Sequence, residues 1–206
     1  MGSEISDRIK RIYSAIGAIE EHDANKLKAK IVETEEFKGV FQDFRGALTD
    51  ADLWNLAHML IDNIAKLRDH LRKWAERNGK DKRKVDEAIA SSLALQIILD
   101  LSNNDKHGYP PRNGGHSRRS PRLAHVKRVM QLRTRAQKGS IIGMRLGADG
   151  KPEVFGDGRA AAVVSGEVVD KENVQLGDLY GIARKGVQAW EKLLRDFRAS
   201  SDVGDT

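Results

Sequence analysis

The stretch from residue 49 to residue 79 carries one continuous apolar stripe, and it constrains the fold more strongly than any other part of the sequence. Its apolar side chains recur at alternating intervals of four and three residues, which is the spacing of one face of an α-helix. The stripe comprises Leu53, Ala57, Leu60, Ile64, Leu67, Leu71 and Trp74. Thr49 and Asp52, three residues apart, are typical of a capping box at a helix start, and Gly79 is typical of a helix end. The segment therefore predicts a long helix with one face buried in a core.

Three further segments show helical spacing of their apolar residues, namely residues 4–36, 82–103 and 177–198. The short connection at residues 78–81 predicts that the two helices on either side of it pack as an antiparallel hairpin. Because tryptophan buries a large apolar area, Trp74 and Trp190 are expected to anchor the core between the last helix and the earlier ones.

Between residues 124 and 170 the pattern changes to the alternation of apolar and polar residues that is typical of half-buried strands. We expect a strand near residue 124, with a basic helix as the alternative. Two strands should flank an Asp149-Gly150 turn, and a last strand should contain Gly166 as a bulge. The chain is therefore predicted to be α+β, a mostly helical four-helix bundle with a small antiparallel β-meander inserted before the last helix.

We expect one domain over residues 1–206. It divides into a helical part (4–107), a basic Pro/Gly-rich loop (108–123), the β-meander insertion (124–170) and the closing helix (177–198). The closing helix is expected to return and complete the bundle begun by the first three helices.

A run of positive charge without acids is the main functional signal. The 206-residue chain has a formal net charge of +6 and a pI of about 9.5, a balance that favours anionic partners. Residues 112–138 contain no Asp or Glu but hold nine basic residues: Arg112, Arg118, Arg119, Arg122, Lys127, Arg128, Arg133, Arg135 and Lys138. Phosphate binding would explain this segment, so nucleic acid, with RNA favoured, or an acidic protein is the expected partner.

The competing interpretation of the same segment is a flexible, solvated loop that leads into an exposed strand, where basic residues discourage aggregation. Tyr109 is the only aromatic residue close to the segment, so stacking of bases on a platform of rings is not expected. Recognition of a nucleic acid would therefore depend on the charge of its backbone and on its shape.

The polar end of the helix predicted over residues 82–103 is the second candidate site. His107 can accept and donate a proton near neutral pH, Lys106 can stabilise a phosphate or an oxyanion, and Asn103 can orient a substrate. The same residue types followed by Gly108 also terminate helices, because they interact well with the exposed terminal carbonyl groups. The sequence supports both a catalytic group and a plain helix end.

The helix at 49–79 offers further polar groups to this region. Antiparallel pairing would place His58 and Asp62 level with His107, with Arg68 and His70 two to three turns away. His58 and Asp62 are four residues apart on one helix, so we expect them to form a surface pair.

Several classes of site are excluded or not expected. The chain has no cysteine, which excludes disulfides and thiolate zinc sites. The spacing of His107, His116 and His125 matches no compact zinc pattern, and we expect neither a metal nor a cofactor. No apolar run is long enough for a membrane span and no signal-peptide core is evident, so a cytoplasmic protein with no membrane partner is expected.

The long helix ending in LSNNDKHG, together with AWEKLL in the closing helix, resembles uncharacterised bacterial helical proteins with an N-x-x-KH step. More loosely, the layout is similar to HEPN-type bundles, some of which are metal-independent ribonucleases of toxin and defence systems. The resemblance implies a homodimer in which His107 acts on RNA. Those families place an Arg shortly before the His. In this chain residues 102–104, shortly before His107, are Ser-Asn-Asn, so they provide no arginine. Arg119 and His125 do have the Arg-to-His spacing of those families.

These observations favour a cytoplasmic protein that binds RNA through a basic loop and strand. If the protein is an enzyme, the expected activity is that of a metal-independent ribonuclease. The alternative is a non-catalytic protein–protein interaction module or a dimeric helical scaffold, in which the basic loop has no specific role.

Overall fold

The structure, a computed structural model, describes residues 5–10, 12, 29–33, 38–42, 48–148 and 152–202. At residues 29–33, 38–42, 131, 133, 146, 152, 159, 161 and 200–202 it describes the backbone alone. Residues 13–28 of the first predicted helix and the predicted Asp149-Gly150 turn lie outside the described residues. The elements are α1 (helical at residues 5–10), β1 (Ala29–Glu33), β2 (Lys38–Gln42), α2 (Asp50–Arg77), α3 (Arg83–Ala90), α4 (Leu93–His107), β3 (Arg122–Arg133), β4 (Ile142–Leu146), β5 (Pro152–Gly156), β6 (Arg159–Val169), β7 (Gln175–Asp178) and α5 (Leu179–Asp202).

Helix α2 is the helix that the apolar stripe predicts. Its first turn is closed by the expected capping box, in which Asp52 N donates to Thr49 Oγ1 at 3.2 Å and Thr49 N donates to Asp52 Oδ2 at 2.8 Å. Every stripe residue from Leu53 to Leu71 is buried, and Trp74 is half-buried with its ring 5.7 Å from that of Phe197 in α5. The stripe therefore faces the core along almost the whole helix.

The single helix predicted over residues 82–103 is two helices, α3 and α4. The chain becomes extended at Ser92 (φ −123°, ψ 102°), and the Ser92 hydroxyl oxygen accepts from Leu95 N at 3.4 Å to cap the second helix. The break is invisible in the apolar pattern because Ile89 and Leu93, on either side of it, keep a spacing of four. Helix α4 also continues to His107, four residues beyond the predicted end.

The helical prediction for residues 4–36 is confirmed at residues 5–10 and wrong at residues 29–33. Strands β1 and β2 form an antiparallel pair in which Ile31 lies opposite Val40. Adjacent β-branched residues such as Ile31 and Val32 favour an extended chain, and this local preference outweighs the helical spacing of the apolar positions. The four-helix bundle is not confirmed, because α3 has only eight residues and the described part of the first block contains strands.

The strands after α4 form two antiparallel sheets. One has the order β3-β6-β7, and the other consists of β4 and β5. The predicted strand near residue 124 is therefore confirmed, but the β-meander is wrong: the β4–β5 hairpin is inserted between β3 and β6, which pair with each other. The bulge predicted at Gly166 lies in the partner strand, between Ala124 and Lys127, directly opposite that glycine. Helices and antiparallel strands together confirm the α+β class.

Helix α5 joins the helices and the larger sheet into one core. The indole of Trp190 is fully buried, and its Nε1 donates to Ile64 O of α2 at 3.2 Å. Gly186 allows α5 to approach α4 closely, since a Cβ there would lie 2.5 Å from Ile98 Cδ1. Buried side chains of β3 and β6 extend this core, so the position of the sheet depends on the helices.

We expect Trp190→Ala to lower the free energy of unfolding by about 3–5 kcal/mol, because it removes a large buried side chain and leaves a cavity. Urea denaturation followed by circular dichroism measures the change. The control is Leu93→Ala, at a side chain 49% exposed, which should alter stability by less than about 0.5 kcal/mol. Equal effects of the two substitutions would contradict the assignment of the core.

Candidate nucleic-acid interface at the end of helix α4

The side chain of Asp100 is the most deeply buried acid in the described residues, and it holds the basic loop against α4. Its carboxylate, on a residue only 1% exposed, accepts hydrogen bonds from His116 N at 2.6 Å and from Ser117 N at 2.8 Å. The Ser117 hydroxyl donates a third bond at 2.6 Å. Charge-assisted bonds of this kind are short and strong, so three of them fix the path of residues 116–117.

Gly115 explains how the backbone of the loop comes so close to the carboxylate. A Cβ at this position would lie 2.3 Å from Asp100 Oδ1, and the residue has a φ of +74°, which side chains rarely tolerate. Two other bonds hold the same loop: Tyr109 Oη donates to Ser120 O at 3.2 Å, and Asn104 Nδ2 donates to Pro121 O at 2.7 Å. The expectation of a flexible lead into the strand is therefore wrong, because hydrogen bonds tie the loop down along its length.

An open groove of about 650 Å³ lies between the last turns of α4 and this loop. Asn103 and His107 line it from the helix, while Arg112 and His116 line it from the loop. Asn103 and His107 are one helical turn apart and so share the face that the loop covers. The groove therefore brings together two of the three predicted catalytic residues, Asn103 and His107, and one predicted phosphate ligand, Arg112. It also contains His116, which the sequence analysis considered only for a metal site that is not expected.

Lys106 does not line this groove. Its Nζ donates to Ser102 Oγ at 3.1 Å and lies 3.8 Å from Asp62 Oδ1, while the Ser102 hydroxyl donates to the same Asp62 oxygen at 2.6 Å. Ser102 and Lys106 are also one turn apart, but on the face of α4 that meets α2. The predicted role of Lys106 beside His107 is therefore not supported by its position.

The side chains of α2 lie beside the end of α4, as predicted, but they contact partners other than the expected ones. Asp62 contacts Ser102, and His58 Nδ1 lies 3.8 Å from Asp105 Oδ1, so the start of α2 is level with the end of α4 in an antiparallel pair. Instead of pairing with each other on the surface, His58 and Asp62 reach across to the neighbouring helix. Neither lines the groove that contains His107.

Eight of the nine basic residues of the acid-free segment have described side chains, and they fall into two groups. Arg122 donates to Asn173 Oδ1, Lys127 Nζ lies 3.8 Å from Glu167 Oε1, and Arg128 is half-buried. In the described part of the chain the other five form no ion pair and are exposed: Arg112, Arg118, Arg119, Arg135 and Lys138. The side chain of Arg133 lies outside the described residues. Strand pairing thus brings acids and amides to the middle of the segment and leaves its two ends positive.

A second carboxylate organises the far end of the segment. Asp157, just after β5, accepts from Ser140 Oγ at 2.9 Å and from Ile141 N at 3.0 Å, and Gln137 Nε2 donates to its other oxygen at 2.9 Å. The Ser140 hydroxyl and the Ile141 N–H lower the pKa of Asp157 below the usual carboxyl value. A lowered pKa means that the anchor is fully present at neutral pH and is lost only as the pH falls through the depressed value.

Comparison with known proteins identifies no relative of this chain, so only the geometry of the site indicates a function. No protein-family model, curated protein or solved structure matches this chain. The described residues contain no group of three or more His, Asp or Glu side chains placed to hold a metal ion. None of the helices in the described ranges has an apolar stretch long enough to cross a bilayer.

Sequence reasoning missed Asp100, although the sequence holds a signal for it. The residue stands between Leu99 and Leu101 in an otherwise apolar run, where an acid is costly to bury unless it is hydrogen-bonded. A lone acid on the buried face of a helix therefore indicates a partner segment that supplies donors.

We expect Asp100→Asn to destabilise the protein by about 2–3 kcal/mol, because an amide would turn an N–H group toward the donors of His116 and Ser117. Denaturant unfolding measures the loss, and hydrogen exchange of the His116 and Ser117 amides should accelerate first. The matched control is Asp105→Asn at an exposed carboxylate, which should leave exchange in the loop unchanged. Unaltered protection of those two amides in Asp100→Asn would contradict the anchoring role.

Proposed function

We propose that this protein binds the phosphate backbone of RNA through the two ends of its basic segment. The observation that carries the proposal is the Asp100-anchored loop, which holds Arg112, Arg118 and Arg119 exposed and without ion pairs in the described part of the chain. A guanidinium with all its donors available matches the geometry of a phosphate group. An acid partner on these arginines would have weakened the proposal.

The rigidity of the loop supports the same conclusion. Binding through a flexible loop loses affinity to the ordering of backbone and side chains, whereas a loop already fixed by hydrogen bonds avoids much of that cost. The groove beside the loop favours RNA over DNA, because Asn103, His107 and His116 are groups that can hydrogen-bond a 2′-hydroxyl. Phosphate contacts would provide affinity, and the groove would recognise ribose.

The double substitution Arg118→Glu/Arg119→Glu is expected to weaken binding of single-stranded RNA by at least about tenfold at 0.1 M salt. Loss of two phosphate contacts should also reduce the slope of log K against log salt by about 1.4. Fluorescence anisotropy with a labelled oligonucleotide at several salt concentrations measures both quantities.

The matched control for this pair is Arg184→Glu/Lys185→Glu, which makes the same change of charge at two exposed adjacent residues of α5. Its effect should be several-fold smaller and should reflect net charge alone. Equal losses from the two double variants would contradict a site at the loop, and an acidic protein captured in place of RNA would indicate the alternative partner.

A second candidate function is metal-independent cleavage of the bound RNA, favoured by the presence of two imidazoles in one groove. One of His107 and His116 would take the proton of a 2′-hydroxyl as its oxygen attacks the adjacent phosphorus, and the other would protonate the leaving 5′-oxygen. The products would be a 2′,3′-cyclic phosphate and a 5′-hydroxyl, with Arg112 placed to stabilise the phosphorane charge. Metal-free cleavage is also what the similarity to HEPN-type bundles implies, but this pair of residues is proposed from the groove.

Replacing either histidine should reveal this chemistry. We expect His107→Ala and His116→Ala each to lower the cleavage rate by about 10²–10⁴-fold in EDTA, and the wild-type rate to follow a bell-shaped pH profile. His58→Ala, at a histidine outside the groove, serves as the control. Gel analysis of a labelled RNA and its DNA counterpart tests the role of the 2′-hydroxyl. Cleavage of the DNA, or full activity of both groove variants, would contradict this mechanism.

A further inference from the structure

The β4–β5 hairpin exposes apolar side chains that the fold does not use. Ile141, Met144 and Phe155 are 59%, 39% and 40% exposed, and none of them belongs to the core cluster of the described residues. The hairpin forms its own two-stranded sheet, separate from the larger one. Phe155 therefore lies outside the core of the described residues.

The ring of Phe155 lies flat on the hairpin instead of projecting from it. Its strand partner is Gly143, and a Cβ on that glycine would come within 2.6 Å of Phe155 Cζ. The absence of a side chain at Gly143 is thus what lets the ring cover the neighbouring strand. The ring therefore rests on this strand, and its residue remains 40% exposed.

A cation lies over the same ring. The guanidinium carbon of Arg145 lies 5.9 Å from the ring centroid, and Arg145 Nε donates to Glu153 Oε2 at 3.2 Å. Arg145 and Glu153 are opposite each other two pairs along the hairpin from Gly143 and Phe155, so both are on the face that carries Phe155. Glu153 accepts one hydrogen bond from the guanidinium, and among the described residues its other N–H groups have no partner.

The hairpin is tied directly to one of the positive ends of the basic segment. Asp157, two residues after Phe155, accepts hydrogen bonds from the connection that carries Lys138, through Gln137 and Ser140. The carboxylate is occupied by these neutral donors, and Lys138 remains exposed. A flat ring, a guanidinium and a free ammonium therefore occur on adjoining parts of one small unit.

We propose that Phe155, together with the guanidinium that lies over its ring, stacks an unpaired nucleobase of single-stranded RNA, with Arg145 contacting the base or its phosphate. This site rests on the proposed RNA binding and specifies its substrate class, because a base in a duplex is already stacked and has no free face. Stacking on an aromatic ring tolerates any base, so the site would add affinity without sequence preference. The ring comes from outside the acid-free segment.

Anisotropy titrations of the full chain with single-stranded RNA, and with a duplex of the same sequence, test this site. Phe155→Ala should weaken binding of the single strand by about 5- to 150-fold, the range for loss of one stacked base. Binding of the duplex should change by less than about twofold, and the salt dependence should be unaltered, because no phosphate contact is lost. Phe155→Trp should restore single-strand affinity, and the fluorescence of the new indole should be quenched by RNA.

Two further variants separate stacking from folding. Phe155→Leu keeps an apolar side chain of similar size on the hairpin but removes the aromatic face, and it should lose affinity as Phe155→Ala does. Met144→Ala removes an exposed apolar side chain from the opposite face of the hairpin and should leave binding unchanged.

Five results would overturn the proposal. Wild-type affinity of Phe155→Leu for the single strand, or equal losses on single strand and duplex, would show that the ring does not stack a base. Loss of self-association in Phe155→Ala, seen by sedimentation, would assign the ring to a contact between copies. No RNA binding by the wild type would remove the proposed function as well. If Arg118→Glu/Arg119→Glu loses RNA binding and Phe155→Ala does not, the stacking site is contradicted but the proposed RNA binding is retained.

Discussion

The hydrogen bonds to the buried carboxylate of Asp100 are the interaction on which the candidate site depends. Removing a carboxylate from water costs several kcal/mol unless donors replace the water, and here all three donors come from residues 116–117. Residues 108–119 contribute no buried apolar side chain, so packing cannot place this loop. Asp100, together with the bonds made by Tyr109 and Asn104, therefore holds Arg112 and His116 in position relative to His107.

Asp157 uses the same device at the other end of the basic segment. Both acids lie outside residues 112–138 in sequence, yet both meet that segment in space. Each accepts hydrogen bonds from backbone, hydroxyl or amide groups, and neither binds a guanidinium or an ammonium among the described side chains of the segment. Two turns are thereby made rigid without loss of their positive charge. Acids placed within the segment would have paired with its arginines instead.

Features that depend on nearby residues could be predicted from the sequence, and those that depend on distant partners could not. The stripe and cap of α2 are local, and the helix is as expected. The pairing of β3 with β6 skips a whole hairpin, so alternation could identify the strands but not their order. His107 could be proposed because it ends a helix. His116 joins it only through Asp100, a contact sixteen residues apart that no spacing rule contains.

The distance between the two positive turns bears on what they can bind. Arg118 and Arg119 precede β3, whereas Arg135 and Lys138 follow it, and a strand of twelve residues spans about 40 Å. Along the strand itself Arg122 and Lys127 already have partners. A small phosphate or a mononucleotide could reach one turn but not both, so two separate patches held rigid on one molecule favour a polyanion. The Phe155 ring, joined to the second turn through Asp157, would then lie where such a strand passes after crossing the sheet.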